Sequence, residues 1–252
     1  VTVMARATGA SFPDSYDDLV LATGAPPIAP PLPGVAAAGV FTVRTPSQAQ
    51  AIRSWIEVTG ARSAVVVGAG FIGLEMVEQL AGRGIATTLV ERLPQVMPPL
   101  DADMAVRVAD EVERHGVDLR LGSAVREVTG DPVTGVVLDD DTVVDADLVV
   151  IAVGVRPNVE LAVQAGVTLG STGAVAVDQR MHTDVAHIWA VGDVAESFSV
   201  ITGRPVWRPL GSTANKMGRI AGDAITGGEL THRGIVGSGI FRVFDLTVAQ
   251  TG

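Results

Sequence analysis

The chain has 252 residues, 47% of them hydrophobic and 18% charged, with a formal net charge of −10. That length allows one large or two medium domains with a packed core, and an acidic balance without any cluster of Lys and Arg excludes nucleic acid as a partner. No cysteine occurs, which excludes structural disulfides, Cys-ligated zinc and any thiol step carried by these residues.

The first predicted elements are a short strand at Val1–Ala5 and a buried strand from Asp18 to Ala22 running into Thr23-Gly24. Alone they would lack sheet partners, so the segment reads as the end of a unit. Five prolines between Pro26 and Pro33 suit an extended connector. A helix follows over Thr45–Ile56, with Thr45 or Ser47 as its cap.

From Ser63 the order becomes regular. The apolar strand Ser63–Val67 runs into Gly68-Ala69-Gly70-Phe71-Ile72-Gly73, and helical spacing continues at Ile72, Met76 and Leu80. A second strand, Thr87–Val90, ends at Glu91. Glycines at these positions permit a tight turn and let backbone N–H groups approach a pyrophosphate at the helix N-terminus, while the acid closing the second strand suits ribose hydroxyls. Strand, turn, helix, strand and acid in sequence make a dinucleotide-binding unit. Glu91 favours NADH over NADPH, because a carboxylate repels a 2′-phosphate; Arg92 beside it works the other way.

Another helix is predicted behind Asp101, with Met104, Val108 and Val112 on one face and His115 as a dipole-complementing cap before Gly116. Strands follow at Val117–Leu121, Ala124–Thr129, Val133–Leu138 and Thr142–Val144, with Asp139-Asp140-Asp141 as a solvated hairpin tip. The apolar stretch Leu148–Val155 is too short to cross a bilayer, and no signal core opens the chain, so a cytoplasmic location is expected. Two more strands are predicted, Ala174–Val177 and His187–Val191. The second delivers Gly192-Asp193, whose carboxylate either meets a hydroxylated ligand or caps a helix. Ser212–Ile225 reads as a helix with a small-residue face, and Ile235–Thr251 as a strand pair.

Four stretches together resemble the FAD- and NAD(P)-dependent pyridine nucleotide–disulfide oxidoreductases. They are Tyr16 to Ala25, the glycine turn with Phe71 and Glu75, Ala152 to Asn158, and Ile188 to Asp193. Pro209–Gly222 and Val243–Gly252 look most like the coenzyme A-disulfide reductase and NADH oxidase branch. The resemblance implies an α/β fold: a Rossmann-like three-layer NAD-binding domain with a β-meander insertion, plus part of an FAD-binding domain of the same type. It implies that Gly68, Gly70, Gly73 and Glu91 hold NAD, that Phe71 occupies the place of an aromatic gate and that Glu75 stands near the nicotinamide, with Ile72 and Arg92 also among the cofactor-binding residues. Following the second glycine of the turn, Phe71 is expected to project toward the ligand and not to be a core residue. Ala22, Thr23, Gly24, Gly192 and Asp193 would meet FAD, with Gly154 and Ala214 also among the cofactor-binding residues.

The implied layout is an FAD-domain segment and linker over 1–44, the NAD domain over 45–155, a return to the FAD domain over 156–233 and the start of a dimerisation domain over 234–252. The family's first FAD-binding glycine turn and redox cysteine do not occur here, so the chain reads as a fragment whose complete protein binds FAD and forms a homodimer. The expected function is hydride transfer from NAD(P)H to FAD and on to a disulfide or oxygen; the alternatives are a ferredoxin-reductase type and, for these residues alone, a non-catalytic NAD-binding module.

Overall fold

In the computed structural model, which describes residues 1–252, the chain opens with the antiparallel pair β1 (Thr2–Met4) and β2 (Ser11–Pro13), followed by β3 (Leu19–Leu21). These residues belong to one compact unit, Val1–Ala25 with Pro157–Gly237 and Gly252; Pro26–Arg156 with Ser238–Thr251 form a second. The expected boundary after residue 44 therefore moves to residue 25. The prolines are not a free connector: Pro27 bridges Val155, the Ile28 N–H donates to the Gly154 carbonyl at 2.9 Å, and Leu32 and Val35 pack against buried valines of the second unit.

The second unit continues with β4 (Val40–Thr42), α1 (Pro46–Thr59), β5 (Ser63–Val67), α2 (Phe71–Ala81), β6 (Ala86–Glu91), α3 (Ala102–Arg114) and β7 (Asp118–Leu121). After these come β8 (Val125–Thr129), β9 (Gly135–Leu138), β10 (Val143–Asp145) and β11 (Leu148–Ile151). Thr45 caps α1 as expected, in a reciprocal pair: its hydroxyl accepts from the Gln48 N–H, and the Gln48 side chain accepts from the Thr45 N–H. Asp101 occupies the cap position of α3 without a side-chain capping bond.

Five parallel strands lie in the order β4-β11-β5-β6-β7, and β10-β9-β8 form a separate antiparallel sheet. Side chains alternate across a strand, so a sheet covered on both faces needs apolar residues throughout. Val66, Leu148 and Val150 pack with Ile52 of α1, Leu74 and Val77 of α2 and Val108 of α3. Their neighbours Val65, Val67, Val149 and Ile151 pack with Val125, Val136 and Leu138 of the meander. The result is three layers, helices over a parallel sheet over a meander.

Asp147 pins the entry to β5. Its Oδ2 accepts the N–H groups of Arg62 and Ser63 at 2.8 and 2.9 Å and the Ser63 hydroxyl at 2.9 Å, which holds the carboxyl below the usual Asp range. A carboxyl with a lowered folded-state pKa stabilises fully above its unfolded value, about pH 4, and loses that contribution as pH falls through the folded value. Asp147→Asn is expected to lower the melting temperature near neutrality and to flatten its fall below about pH 4; equal acid slopes for both proteins would contradict this.

In the first unit, α4 (Glu160–Gln164), β12 (Ile188–Ala190), β13 (Ser197–Phe198), β14 (Pro205–Val206) and α5 (Gly211–Ile225) follow. β12 pairs in parallel with β3, Ile188 opposite Leu19 and Ala190 opposite Leu21. The expected strand Ala174–Val177 does not form; Val175 makes only single bridges, to Leu169 and Ala195. A hairpin, β15 (Gly239–Val243) and β16 (Leu246–Gln250), belongs to the second unit, where β15 contacts α2 and α3. The segment expected to open a dimerisation domain thus buries Phe241 and Val243 in the helical layer. No helix is long and apolar enough to cross a membrane.

Candidate functional site

The parallel sheet changes direction beside β5: the chain proceeds from β5 outward through β6 and β7, while β11 lies on the other side. At such a switch point the loops leaving the carboxyl ends of two adjacent strands diverge and leave a crevice. Gly68 leaves β5 there, and Ala152 leaves β11.

The three glycines of the turn answer three different demands. Gly68 has φ +104°, and a Cβ on it would lie 2.5 Å from the Ala152 carbonyl oxygen, so the two strand ends approach as close as backbone allows. Gly73 is buried in α2, and a Cβ there would fall 1.8 Å from the Gly68 carbonyl oxygen; helix and turn pack through this missing methyl. Gly70 is different. It caps α2 with φ −84°, which any residue adopts, and a Cβ on it would meet nothing within 4 Å. Neither strain nor crowding within the chain requires glycine at this place. The open backbone lies at the N-terminus of an eleven-residue helix that has no side-chain cap, the surface an anionic group needs for close approach. The residues therefore fit a dinucleotide pyrophosphate.

Glu91 ends β6 and reaches into the turn. Its Oε2 accepts the Ala69 N–H at 2.8 Å and its Oε1 the Leu93 N–H at 2.9 Å, which fixes the carboxylate beside the glycines. Arg92 is exposed next to it. Phe71 and Ile72 open α2, half-buried, with Glu75 exposed one turn on. The expectation that Phe71 stands apart from the core is corrected: its ring meets Phe241 of β15 edge-on, centroids 5.1 Å apart at 89°. Sequence reasoning missed Phe241, because a contact across 170 positions has no local signature. Gly154, at φ +115°, turns the chain away from β11.

The hairpin is held at its turn. Phe244 has φ +48°, an uncommon conformation for a large side chain, and the Phe244 and Asp245 N–H groups donate to Glu78 Oε2 at 2.9 Å and Glu111 Oε1 at 3.0 Å. Glu111 is buried and its other oxygen pairs with Arg114; His115 stacks on Phe244, centroids 4.1 Å apart, with Nδ1 2.9 Å from the Glu111 carbonyl. His115 thus sits at the C-terminal cap of α3, as its position suggested.

In the first unit, Ala22-Thr23-Gly24 follow β3. The Thr23 hydroxyl donates to the Asn158 carbonyl at 2.6 Å and the Asn158 N–H to the Gly24 carbonyl at 2.8 Å, while Gly24 takes φ +72°. Gly192, at φ +74°, starts a short 3-10 turn against Ala214 of α5, where an added Cβ would come within 3.4 Å of the alanine methyl. Asp193 lies inside that turn and does not cap it; Val191 holds the cap position, and the Asp193 carbonyl accepts the Trp207 indole N–H at 2.9 Å. Within this unit the structure brings the expected flavin residues of β3 and β12 to the same ends of two paired strands. A separate recess between α1 and α2, lined by Ile52, Ile56, Met76 and Arg83, contains none of the expected site residues.

Residues 1–218 match the family described as pyridine nucleotide-disulphide oxidoreductase. The NAD(P)H coenzyme A polysulfide/persulfide reductase of Pyrococcus horikoshii is 38% identical over 251 residues, 99% of this chain and 56% of the relative. Among solved structures, the reduced Bacillus anthracis CoADR-RHD superposes with a TM-score of 0.96 at 38% identity, over 100% of this chain and 45% of that one. The water-forming NADH oxidase of Lactobacillus brevis bound to NADH gives 0.92 at 30% identity, over 100% of this chain and 55% of that one. An engineered variant of the latter, a water-forming NADPH oxidase bound to NADPH, gives 0.93 at 30% identity over 100% and 56%. The chain spans about half the length of the curated relatives it matches.

Proposed function

Since the chain belongs to the pyridine nucleotide-disulphide oxidoreductase family, we propose that it is the NADH-binding portion of a flavin-dependent oxidoreductase, passing hydride from the nicotinamide to FAD and on to a coenzyme A disulfide, a persulfide or oxygen. The observation that carries this reading is Gly70, a glycine at an unstrained φ whose missing side chain faces open space at the head of α2. When bound, NADH supplies the hydride and FAD receives it. The protein's part is to bind and align. Backbone N–H groups at the start of α2 would take the pyrophosphate, Glu91 the adenosine ribose, and Phe71 and Glu75 the nicotinamide end. Thr23, Gly24, Gly192, Asp193 and Ala214 would contribute to the flavin site of the first unit. The names of the curated relatives favour coenzyme A-linked sulfur chemistry or oxygen as acceptor.

The 252-residue polypeptide is expected to bind NADH in calorimetric titration and not to reduce coenzyme A disulfide, since thiol–disulfide exchange needs a thiolate and the chain has no cysteine. Absence of NADH binding would overturn the proposal.

We propose further that NADH is preferred to NADPH. The variant made from the Lactobacillus brevis oxidase replaces a glycine by alanine and, eighteen and nineteen positions later, an aspartate by alanine and an alanine by arginine. Here Gly73 is followed at the same spacing by Glu91 and Arg92. The acid of the NADH form stands beside the arginine that the NADPH form gained. Binding of NADH is expected to be roughly tenfold tighter than that of NADPH, and Glu91→Ala to abolish or reverse that ratio, leaving Arg92 to pair with the phosphate. Equal affinities in the unaltered chain would sink this.

A further inference from the structure

We infer that Phe241 is a positioning residue for Phe71: the β15–β16 hairpin clamps the aromatic ring at the head of α2, and entry of a nicotinamide must break that clamp. The inference rests on the proposed reading of Phe71 as the gate at the nicotinamide end.

Alternation along β15 turns Phe241 and Val243 inward, both buried, and leaves Ile240 and Arg242 exposed. The hairpin is thus a ribbon with one apolar face, and that face lies on α2 and α3. It is fastened at its turn by Glu78 and Glu111, which accept the Phe244 and Asp245 N–H groups, and by the His115 ring stacked on Phe244. A carboxylate accepting a backbone N–H in a half-buried or buried place resists exchange with water. The clamp therefore has a rigid base, and Phe241 is the residue through which it touches Phe71. The two rings meet at 89°, the edge-to-face arrangement that aromatic quadrupoles favour. Gly239 lies at the same end: an added Cβ would come within 3.9 Å of Phe71 Cζ, so the ring also rests beside hairpin backbone.

Phe71 is the first residue of α2, immediately after the open backbone of Gly70. A nucleotide whose pyrophosphate sits on that backbone extends its nicotinamide past this ring. To make room the ring must rotate away from Phe241, and giving up the edge-to-face packing opposes binding of the nicotinamide end alone. The adenosine and pyrophosphate end does not feel it. Phe241 accordingly sets the balance between a resting ring and an admitted nicotinamide without itself touching the nucleotide.

The test compares two ligands on the 252-residue chain by calorimetric titration: NADH, and ADP-ribose, which has the same pyrophosphate and adenosine but no nicotinamide. Phe241→Leu keeps apolar bulk and removes the ring. It is expected to tighten NADH about threefold to tenfold while leaving ADP-ribose unchanged. Phe71→Leu is expected to do the same, and the double variant to add little to either single one, because both remove the same ring pair. Unfolding through the hairpin would weaken both ligands together, and Val243→Ala, which damages the same strand away from Phe71, serves as that control. If Phe71→Leu shifts the NADH to ADP-ribose ratio and Phe241→Leu does not, the positioning inference is overturned and the gate survives. If neither shifts it, the gate reading fails first. A ring of fluorinated Phe71 whose NMR line is unmoved by NADH would also overturn the inference.

Discussion

Gly70→Ala is expected to leave the melting temperature within about 2 °C of the unaltered chain and to weaken NADH by roughly tenfold to a hundredfold. Gly68→Ala is expected to do the opposite in order of cause: about 2–4 kcal/mol of stability is lost, and binding falls because the turn is lost. The difference follows from what each missing methyl would meet. At Gly70 it would stand in open space at an ordinary φ, so the folded chain tolerates it and only a ligand is obstructed. At Gly68 it would lie 2.5 Å from the Ala152 carbonyl oxygen with φ at +104°, so strain and crowding act together on the junction of β5 and β11. Thermal unfolding and titration on the same two variants separate these effects. A Gly70→Ala chain that binds NADH normally would mean that nothing approaches this backbone closely.

Glu111→Ala is the second large effect. The carboxylate is buried at 3% exposure and joins α3 to the hairpin turn, accepting the Asp245 N–H with one oxygen and pairing with Arg114 through the other. Truncation removes both bonds, leaves a backbone donor without its acceptor and opens a gap in the helical layer, at a combined cost of about 2–4 kcal/mol. Hydrogen exchange at Phe244 and Asp245 is expected to rise well beyond that of α1, and Glu111→Gln, which keeps an acceptor, to fall between. Uniform acceleration across the unit would show that the carboxylate supports the whole core instead of the hairpin.

The glycine turn, its flanking strand and helix, and the acid were legible because each has a local cause: the apolar run of Ser63–Val67, helical spacing at Ile72, Met76 and Leu80, and a fixed distance from Gly73 to Glu91. The meander was legible from its short alternating strands. The packing of Pro26–Pro33 was not, for a physical reason: proline stiffness predicts extended backbone but says nothing about what the extended backbone rests on, and Leu32 and Val35 settle that through the meander. β4 has three residues, all half-buried, and its place at the sheet edge depends on β11, more than a hundred residues later. Ala174–Val177 is apolar enough to suggest a strand, but the partners of Val175 at Leu169 and Ala195 each supply one bridge and no ladder. In the candidate site, the residues of the turn lie together as their spacing implies, whereas the roles of Phe241 and of the carboxylates under the hairpin arise only once the chain is folded.

Glu91 holds two offices at once. The carboxylate proposed to distinguish one coenzyme from another is also a structural member of the turn, accepting the N–H groups of Ala69 and Leu93. An exchange made to admit a phosphate would therefore withdraw two acceptors from the backbone proposed to cradle the rest of the nucleotide. On the proposed reading, coenzyme choice would be a property of the whole loop, and a lineage moving from one coenzyme to the other would have to cross a loosened intermediate unless neighbouring positions changed with it.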